Sequence, residues 1–306
     1  VGGGQLGRMF IQNALNYGHE IVTLDPDPEA PCSLISHEFI CADRNDEEAV
    51  YQMGKTCDVV TIEIENVSVS ALKRLEAEGV KVFPQPRILE MVKDKGVQKR
   101  FYEEHGLPTA PFALVESKDQ IRQHLDLLPV MQKMRVGGYD GKGVTPIRTE
   151  ADIPSGFDAP SVLEQWVDYA LELAVLVARN ESGEVTSFPV VEQVFNDEAN
   201  LVDYLVSPAR ITPEVEAEAR SLAEKLIAEI DMVGLLAVEL FLTRDGRVLI
   251  NEIAPRPHNS GHHTIEACYV SQFDMHMRSI LNWPLGDTSL RTPAAMINLL
   301  GEKGYA

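Results

Sequence analysis

Over its first 83 residues the chain alternates short apolar strands with helix-patterned segments, and two strands joined through a helix cannot fold back as a hairpin. They pair in parallel, so this part is predicted to form a parallel sheet in βαβ order. The pattern reads as a glycine turn, a helix over 8–18, strands over 21–24 and 39–42 separated by an acidic loop, a helix, a strand over 58–64, a helix, and a strand over 81–83. Gly2, Gly4 and Gly7 satisfy G-x-G-x-x-G, with Asp25 after the next strand. Three readings are open here: a dinucleotide fingerprint, a tight turn packed closely on its helix, or a small-substrate site at the carboxyl ends of the strands. In the third, Gln5 and Leu6 face the ligand. Period-two alternation places Glu63 and Glu65 on one side of their strand, and Glu65, at its end, is a candidate acceptor for a polar ligand.

A linker to a new domain is expected near Pro84. A helix over 88–104 contains Asp94 and Lys95 and ends at Gly106. A strand over 128–134 then runs into a loop with four glycines in the seven residues 137–143. Such a loop can wrap backbone N–H groups around phosphate oxygens. It fails the Walker pattern, because Gly143 stands where Ser or Thr would meet magnesium. Lys133, Arg135 and Lys142 converge on it, which is informative in a chain of 306 residues with net charge −20. A strand over 160–167 and another from Glu172 to 178 are expected to form a half-buried sheet, and a helix over 212–230 to be scaffolding.

Asp245-Gly246 separates two apolar strands, 235–242 and 247–253, as the turn of a hairpin. With a two-residue loop, Glu239 falls opposite Glu252. Facing carboxylates between apolar neighbours repel and are costly to desolvate, and a hard divalent cation, magnesium, removes the conflict. Beyond this strand, Arg256 is suited to an oxyanion, and His258 to donating a hydrogen bond or moving a proton.

The negative charge disfavours nucleic acid as a partner. Four scattered cysteines, without CxxC spacing, argue against zinc or a disulfide framework and for a reducing, cytoplasmic compartment. No apolar run is long enough to span a membrane, so no membrane association is expected. The start at Val1, without Met, reads as a clipped beginning.

The motifs Gly2-Gly3-Gly4-Gln5-Leu6-Gly7-Arg8-Met9 and Gly137-Gly138-Tyr139-Asp140-Gly141-Lys142-Gly143, with the run from Asn251 through His262, resemble the ATP-grasp superfamily, and within it the N5-carboxyaminoimidazole ribonucleotide synthetases. The resemblance covers essentially the whole chain. It implies an α/β and α+β fold: an N-terminal parallel-sheet (pre-ATP-grasp) domain over 1–84, a small ATP-grasp lobe over 85–160, a large lobe with the magnesium site over 161–288, and the start of a truncated C-terminal domain over 289–306.

The implied activity is ATP- and bicarbonate-dependent carboxylation of 5-aminoimidazole ribonucleotide in purine biosynthesis, and the implied assembly is a homodimer. Lys95, Lys133, Gly138, Tyr139, Asp140, Gly141, Lys142, Gly143 and Val144 would contact ATP. Glu164, Gln165, Trp166 and Val167 would frame adenine, Glu172 the ribose, and Asn251 would lie beside the nucleotide. Glu239 and Glu252 would hold magnesium. Gln5, Leu6, Glu65 and Asp140 would face the ribonucleotide, while Arg256, His258 and Asp140 serve the chemistry. Two departures stand out: relatives continue past the segment 296–301 with a basic stretch that helps bind the substrate phosphate, and Phe195 stands where many carry a histidine. The competing functions are another ATP-grasp ligase, a nicotinamide-dependent oxidoreductase using Gly2, Gly4, Gly7 and Asp25, and a nucleotide-binding remnant without turnover.

Overall fold

The computed structural model describes residues 1–138, 143–196 and 201–299. Tyr139, Asp140, Gly141 and Lys142 lie outside the described residues. In the N-terminal part β1 (Val22–Asp25) pairs in parallel with β2 (Glu38–Cys41), and β3 (Val59–Val60) with β4 (Lys81–Val82). Val1 and Gly2 lie between these pairs: Glu63 N–H donates to Val1 O at 3.0 Å and Gly2 N–H to Leu24 O at 2.9 Å. A cavity of about 270 Å³ continues between the pairs, lined by Phe10, Ile11, Val22 and Val60 among others.

Three helices flank the strands: α1 (Gln5–Ala14), α2 (Glu47–Gly54) and α3 (Val69–Ala77). Asp46 and Ser68 cap the last two by accepting from Ala49 and Ala71 N–H groups. Leu24, Val50, Leu72, Leu75 and Val82 form the shared core. The strand expected over 58–64 ends at Val60; beyond it the chain leaves the ladder and turns Glu63 toward the glycines.

The single helix expected over 88–104 is two, α4 (Pro86–Lys93) and α5 (Lys95–Glu104). Asp94 separates them because its side chain competes for backbone donors, accepting from Gly96 N–H at 2.8 Å and Val97 N–H at 3.2 Å. Arg135 then grips the same carboxylate through Nε and Nη2 at 2.9 and 2.7 Å. One of the three cations expected around the glycine loop is therefore committed to a helix cap.

A four-stranded antiparallel sheet follows, made of β5 (Phe112–Val115), β6 (Val130–Met134), β7 (Val144–Ile147) and β8 (Ser161–Gln165) in the order β5-β8-β6-β7. The small sheet thus extends past residue 160, where the lobe boundary was expected. The second sheet contains β9 (Tyr169–Arg179), β10 (Val185–Ser187), β11 (Val191–Asn196), β12 (Leu201–Ser207), β13 (Gly234–Thr243), β14 (Val248–Ala254) and β15 (Ala294–Ile297). Its order is β14-β13-β9-β11-β12-β15, with β10 on β9. Residues 294–297 form an edge strand of this sheet, paired with β12.

Helix α6 (Pro213–Glu229), capped by Thr212, lays Ala219, Ala223, Leu226 and Ile227 on the large sheet as its period predicts. Ile88 of α4 and Tyr102 of α5 join that core. The short α7 (Thr264–Ala267) and α8 (Gln272–Ile280) close the far side. Among the described residues no helix is long and apolar enough to cross a membrane.

Candidate nucleotide and substrate site

The hairpin of β13 and β14 does place Glu239 opposite Glu252, by a different route from the one expected. Near the turn the partners are Leu242 with Val248 and Leu240 with Ile250, one residue out of the expected register. Thr243 and Arg247 close a three-residue loop, with Gly246 at φ +88°. A β-bulge at Asn251 then inserts one extra residue and restores the pairing from Glu239 onward. The bulge puts neighbouring polar side chains in reach of one lysine: Lys133 Nζ lies 3.4 Å from Asn251 Oδ1 and 3.9 Å from Glu252 Oε1.

The opposite wall comes from the small sheet and α5. Lys133 on β6 bonds Glu164 Oε1 on β8 at 2.9 Å, and Lys99 pairs with the other oxygen of that carboxylate. Lys99 Nζ also donates to Thr109 Oγ1 at 2.5 Å. Lys95, at the start of α5, reaches Glu252 Oε1 at 2.8 Å. Lys95, Lys99, Lys133, Glu164, Asn251 and Glu252 line one small cavity between the walls.

Burial alone would raise every carboxyl here, and the lysines decide which ones it wins. For Glu164 burial is overcome by Lys133 and Lys99, which hold it down to about 2. Glu252 is likewise pulled below the ordinary range, against burial, by Lys95 and Lys133. Glu239 is pushed up to about 7 by burial and by Glu252, and Gln193 Nε2 donates to it at 3.5 Å. Burial also raises Glu172, which sits beside Gln193 and Phe241 in the ladder.

The loop after β14 carries Arg256 and His258. Arg256 Nε donates to Glu65 Oε1 at 2.8 Å, so the two residues expected to contact different substrates are partners across the domain boundary. His258 Nε2 lies 3.9 Å from Glu239 Oε1. His258 Nδ1 lies 2.9 Å from Ser260 Oγ and accepts from Ser260 N–H at 3.3 Å; in the tautomer that satisfies this N–H the ring proton is on Nε2, facing that carboxylate. Burial and the Arg256 charge hold this imidazole down to about 3, so it is neutral at physiological pH. Gln272 fixes the loop from below: its Oε1 accepts from His258 N–H, and its Nε2 donates to His258 O, both at 2.8 Å.

The glycine turn is filled by the protein itself. Helix α1 has no cap of its own; Gly4 N–H and Gly7 N–H each donate to Glu63 at 2.6 Å. A Cβ at Gly2 would lie 2.4 Å from Glu63 Cγ, and one at Gly4 2.7 Å from Glu63 Oε1. These glycines make room for a carboxylate rather than a pyrophosphate. Asp25 is spent on Gly3 N–H at 2.9 Å and Arg44 at 3.0 Å. The nicotinamide reading therefore loses both its phosphate donors and its ribose carboxylate. Gln5 is exposed and Leu6 half-buried at this turn.

The sequence matches the family models of the ATP-grasp domain over residues 100–273 and the ribonucleotide synthetase preATP-grasp domain over residues 1–93. The N5-carboxyaminoimidazole ribonucleotide synthase of Bacillus subtilis (strain 168) is 37% identical over 310 residues, spanning 99% of this chain and 80% of the relative. The chain belongs to the N5-carboxyaminoimidazole ribonucleotide synthase family. The family's solved structures share its fold: the Thermotoga maritima synthetase has a TM-score of 0.90 at 42% identity, covering 99% of this chain and 80% of that one. The Aspergillus clavatus synthase, solved in complex with ADP and 5-aminoimidazole ribonucleotide, has a TM-score of 0.90 at 34% identity, covering 99% and 82%.

Of the residues expected from this family's pattern, Lys95, Lys133, Glu164, Asn251, Glu239 and Glu252 are gathered at the cleft. Gln165, Trp166 and Val167 lie at the end of β8, with Trp166 45% exposed and the Arg148 guanidinium 5.8 Å from its ring centre. Gly138, Gly143 and Val144 bound the glycine loop, where Gly143, at φ +75°, packs on Met134. Lys99 and Glu63 were missed. Lys99 reads as one charge on an amphipathic helix, and only the fold buries it; Glu63 was seen, but as the side-chain neighbour of Glu65.

Proposed function

We propose that this chain catalyses the ATP- and bicarbonate-dependent carboxylation of 5-aminoimidazole ribonucleotide to N5-carboxyaminoimidazole ribonucleotide in purine biosynthesis. The observation that carries it is the cleft in which Glu239 and Glu252 face each other beneath Lys95 and Lys133, with Arg256, on the loop that follows, paired to Glu65 of the N-terminal domain.

In this reading the γ-phosphoryl group of ATP passes to a bicarbonate oxygen, giving ADP and carboxyphosphate. The ribonucleotide amine then forms its N–C bond as phosphate leaves, losing one proton. Lys95 and Lys133 offset charge on the phosphates. The glycine loop, with Tyr139, Asp140, Gly141 and Lys142, is assigned to ATP contact by the family's pattern, and the strand from Glu164 to Val167 frames the adenine with Glu172 toward the ribose. Arg256, through the N–H groups not given to Glu65, holds bicarbonate or carboxyphosphate, and His258 donates from Nε2. Gln5, Leu6, Glu65 and Asp140 hold the ribonucleotide.

The donor set of Glu239 and Glu252 fits magnesium: two hard carboxylates, one of them without a cation, at a wall facing the phosphates. When bound, the metal supplies Lewis-acid stabilisation of the phosphoryl oxygens. Cytoplasmic location and assembly as a homodimer belong to the same reading; the four free cysteines support the former. The test is phosphate release from magnesium-ATP and bicarbonate, with product identified by mass. Release stimulated by 5-aminoimidazole ribonucleotide, with the carboxylated ribonucleotide formed, is expected; release indifferent to it would overturn the substrate assignment.

A further inference from the structure

The carboxylate proposed above as a metal ligand is paired with a cation of the protein itself. Lys95 Nζ lies 2.8 Å from Glu252 Oε1, and Lys133 Nζ 3.9 Å from the same oxygen. The two lysines are not equivalent. Lys133 is anchored on the small sheet by Glu164 at 2.9 Å. Among the described residues Glu252 is the only carboxylate paired with Lys95.

The backbone of Lys95 is fixed, since its N–H donates to Arg135 O at 2.9 Å and Asp94 beside it holds Arg135. Its ammonium, on a four-carbon stem, can turn from Glu252 to another anion without moving the helix. A bare divalent cation arriving at Glu239 and Glu252 meets this ammonium on one of its two ligands. A cation arriving with a nucleotide brings phosphates that give the ammonium a new partner.

We infer that Lys95 makes the metal site selective for the metal–nucleotide complex: it is the counter-ion of Glu252 in the free protein, and its transfer to the phosphates releases Glu252 to the metal. The inference rests on the metal reading of Glu239 and Glu252. It makes metal and nucleotide binding mutually reinforcing, and linkage requires the coupling to be equal in both directions.

The test is binding of Mn²⁺, followed by paramagnetic resonance of the free ion, with and without a non-hydrolysable ATP analogue. Lys95→Met, nearly isosteric and uncharged, is expected to bind bare Mn²⁺ about tenfold more tightly than the unsubstituted protein, within the roughly 5–150-fold range of such couplings. It should bind the analogue more weakly, and the analogue should enhance its Mn²⁺ affinity less. Bare Mn²⁺ affinity unchanged or lowered in Lys95→Met, with an unchanged melting curve, would overturn the inference; Lys95→Gln repeats the measurement if the Met variant unfolds. Glu252→Gln separates the two levels. If it abolishes Mn²⁺ binding with the analogue while Lys95→Met leaves bare affinity unchanged, only the role of Lys95 falls. If it leaves that binding intact, the metal reading falls and takes this inference with it.

Discussion

The two walls of the cleft each carry a glutamate directly after an apolar strand residue, Glu164 after Leu163 and Glu239 after Val238, yet the two carboxyls end at opposite extremes. Glu164 is held down to about 2 and Glu239 pushed up to about 7. Local sequence does not separate them. What separates them is that Lys99 and Lys133 meet at Glu164, whereas Glu239 faces Glu252 and a neutral His258. Glu164 has its charge compensated by two lysines; Glu239 has no such partner among the described residues, which is the property the proposed metal site uses.

The comparison breaks most visibly at Glu164. Glu164→Gln leaves Lys99 and Lys133 buried without their carboxylate and should cost roughly 3–5 kcal/mol in chemical denaturation at pH 7. The folded carboxyl is depressed, so its stabilisation is present above the unfolded value near 4.5 and is lost as pH falls toward about 2. The variant and the unsubstituted protein should therefore converge in acid.

Glu239→Gln should do the reverse. Its folded carboxyl is raised, so the native state holds the proton more tightly, and stability falls as pH rises from 4.5 through about 7. With divalent metal chelated, Glu239→Gln should be the more stable protein at pH 8, by on the order of 1–3 kcal/mol, and the difference should vanish near pH 4. Denaturation across that pH range checks both the sign and the window.

How much of this was legible varies by element. The facing glutamates were readable from an apolar hairpin around Asp245-Gly246, but the two-residue turn that justified the pairing is absent. A three-residue loop shifts the register by one and the bulge at Asn251 shifts it back. Bulges leave little trace in strand periodicity, and Asn251, a polar residue just before Glu252, was the available signal. The break at Asp94 was also available, since Asp before a helical run is a capping residue.

Other features had no local signal. Helical periodicity cannot tell that Lys99 faces a buried carboxylate, because the partner lies on a strand remote in sequence. The glycine turn was legible as a turn, but the carboxylate filling it comes from Glu63, beyond a strand that ends early. The edge strand at 294–297 pairs with a strand about ninety residues earlier, a partnership that leaves no local trace in the sequence.

The smallest effect isolates the turn from the bulge. Gly246→Ala places a side chain at φ +88° in open space, so it should cost about 1 kcal/mol in stability and leave nucleotide affinity unchanged. A loss of nucleotide binding there would mean that the turn, and not the bulge, sets the position of Glu252.

The measurement that tests the central claim most directly is magnesium-ATP turnover, stimulated by 5-aminoimidazole ribonucleotide, in Glu252→Gln beside the unsubstituted protein. The account predicts a loss of at least about 10²–10³-fold, as for removal of a principal transition-state contact, with the melting curve retained. Full turnover in a folded Glu252→Gln protein would contradict it.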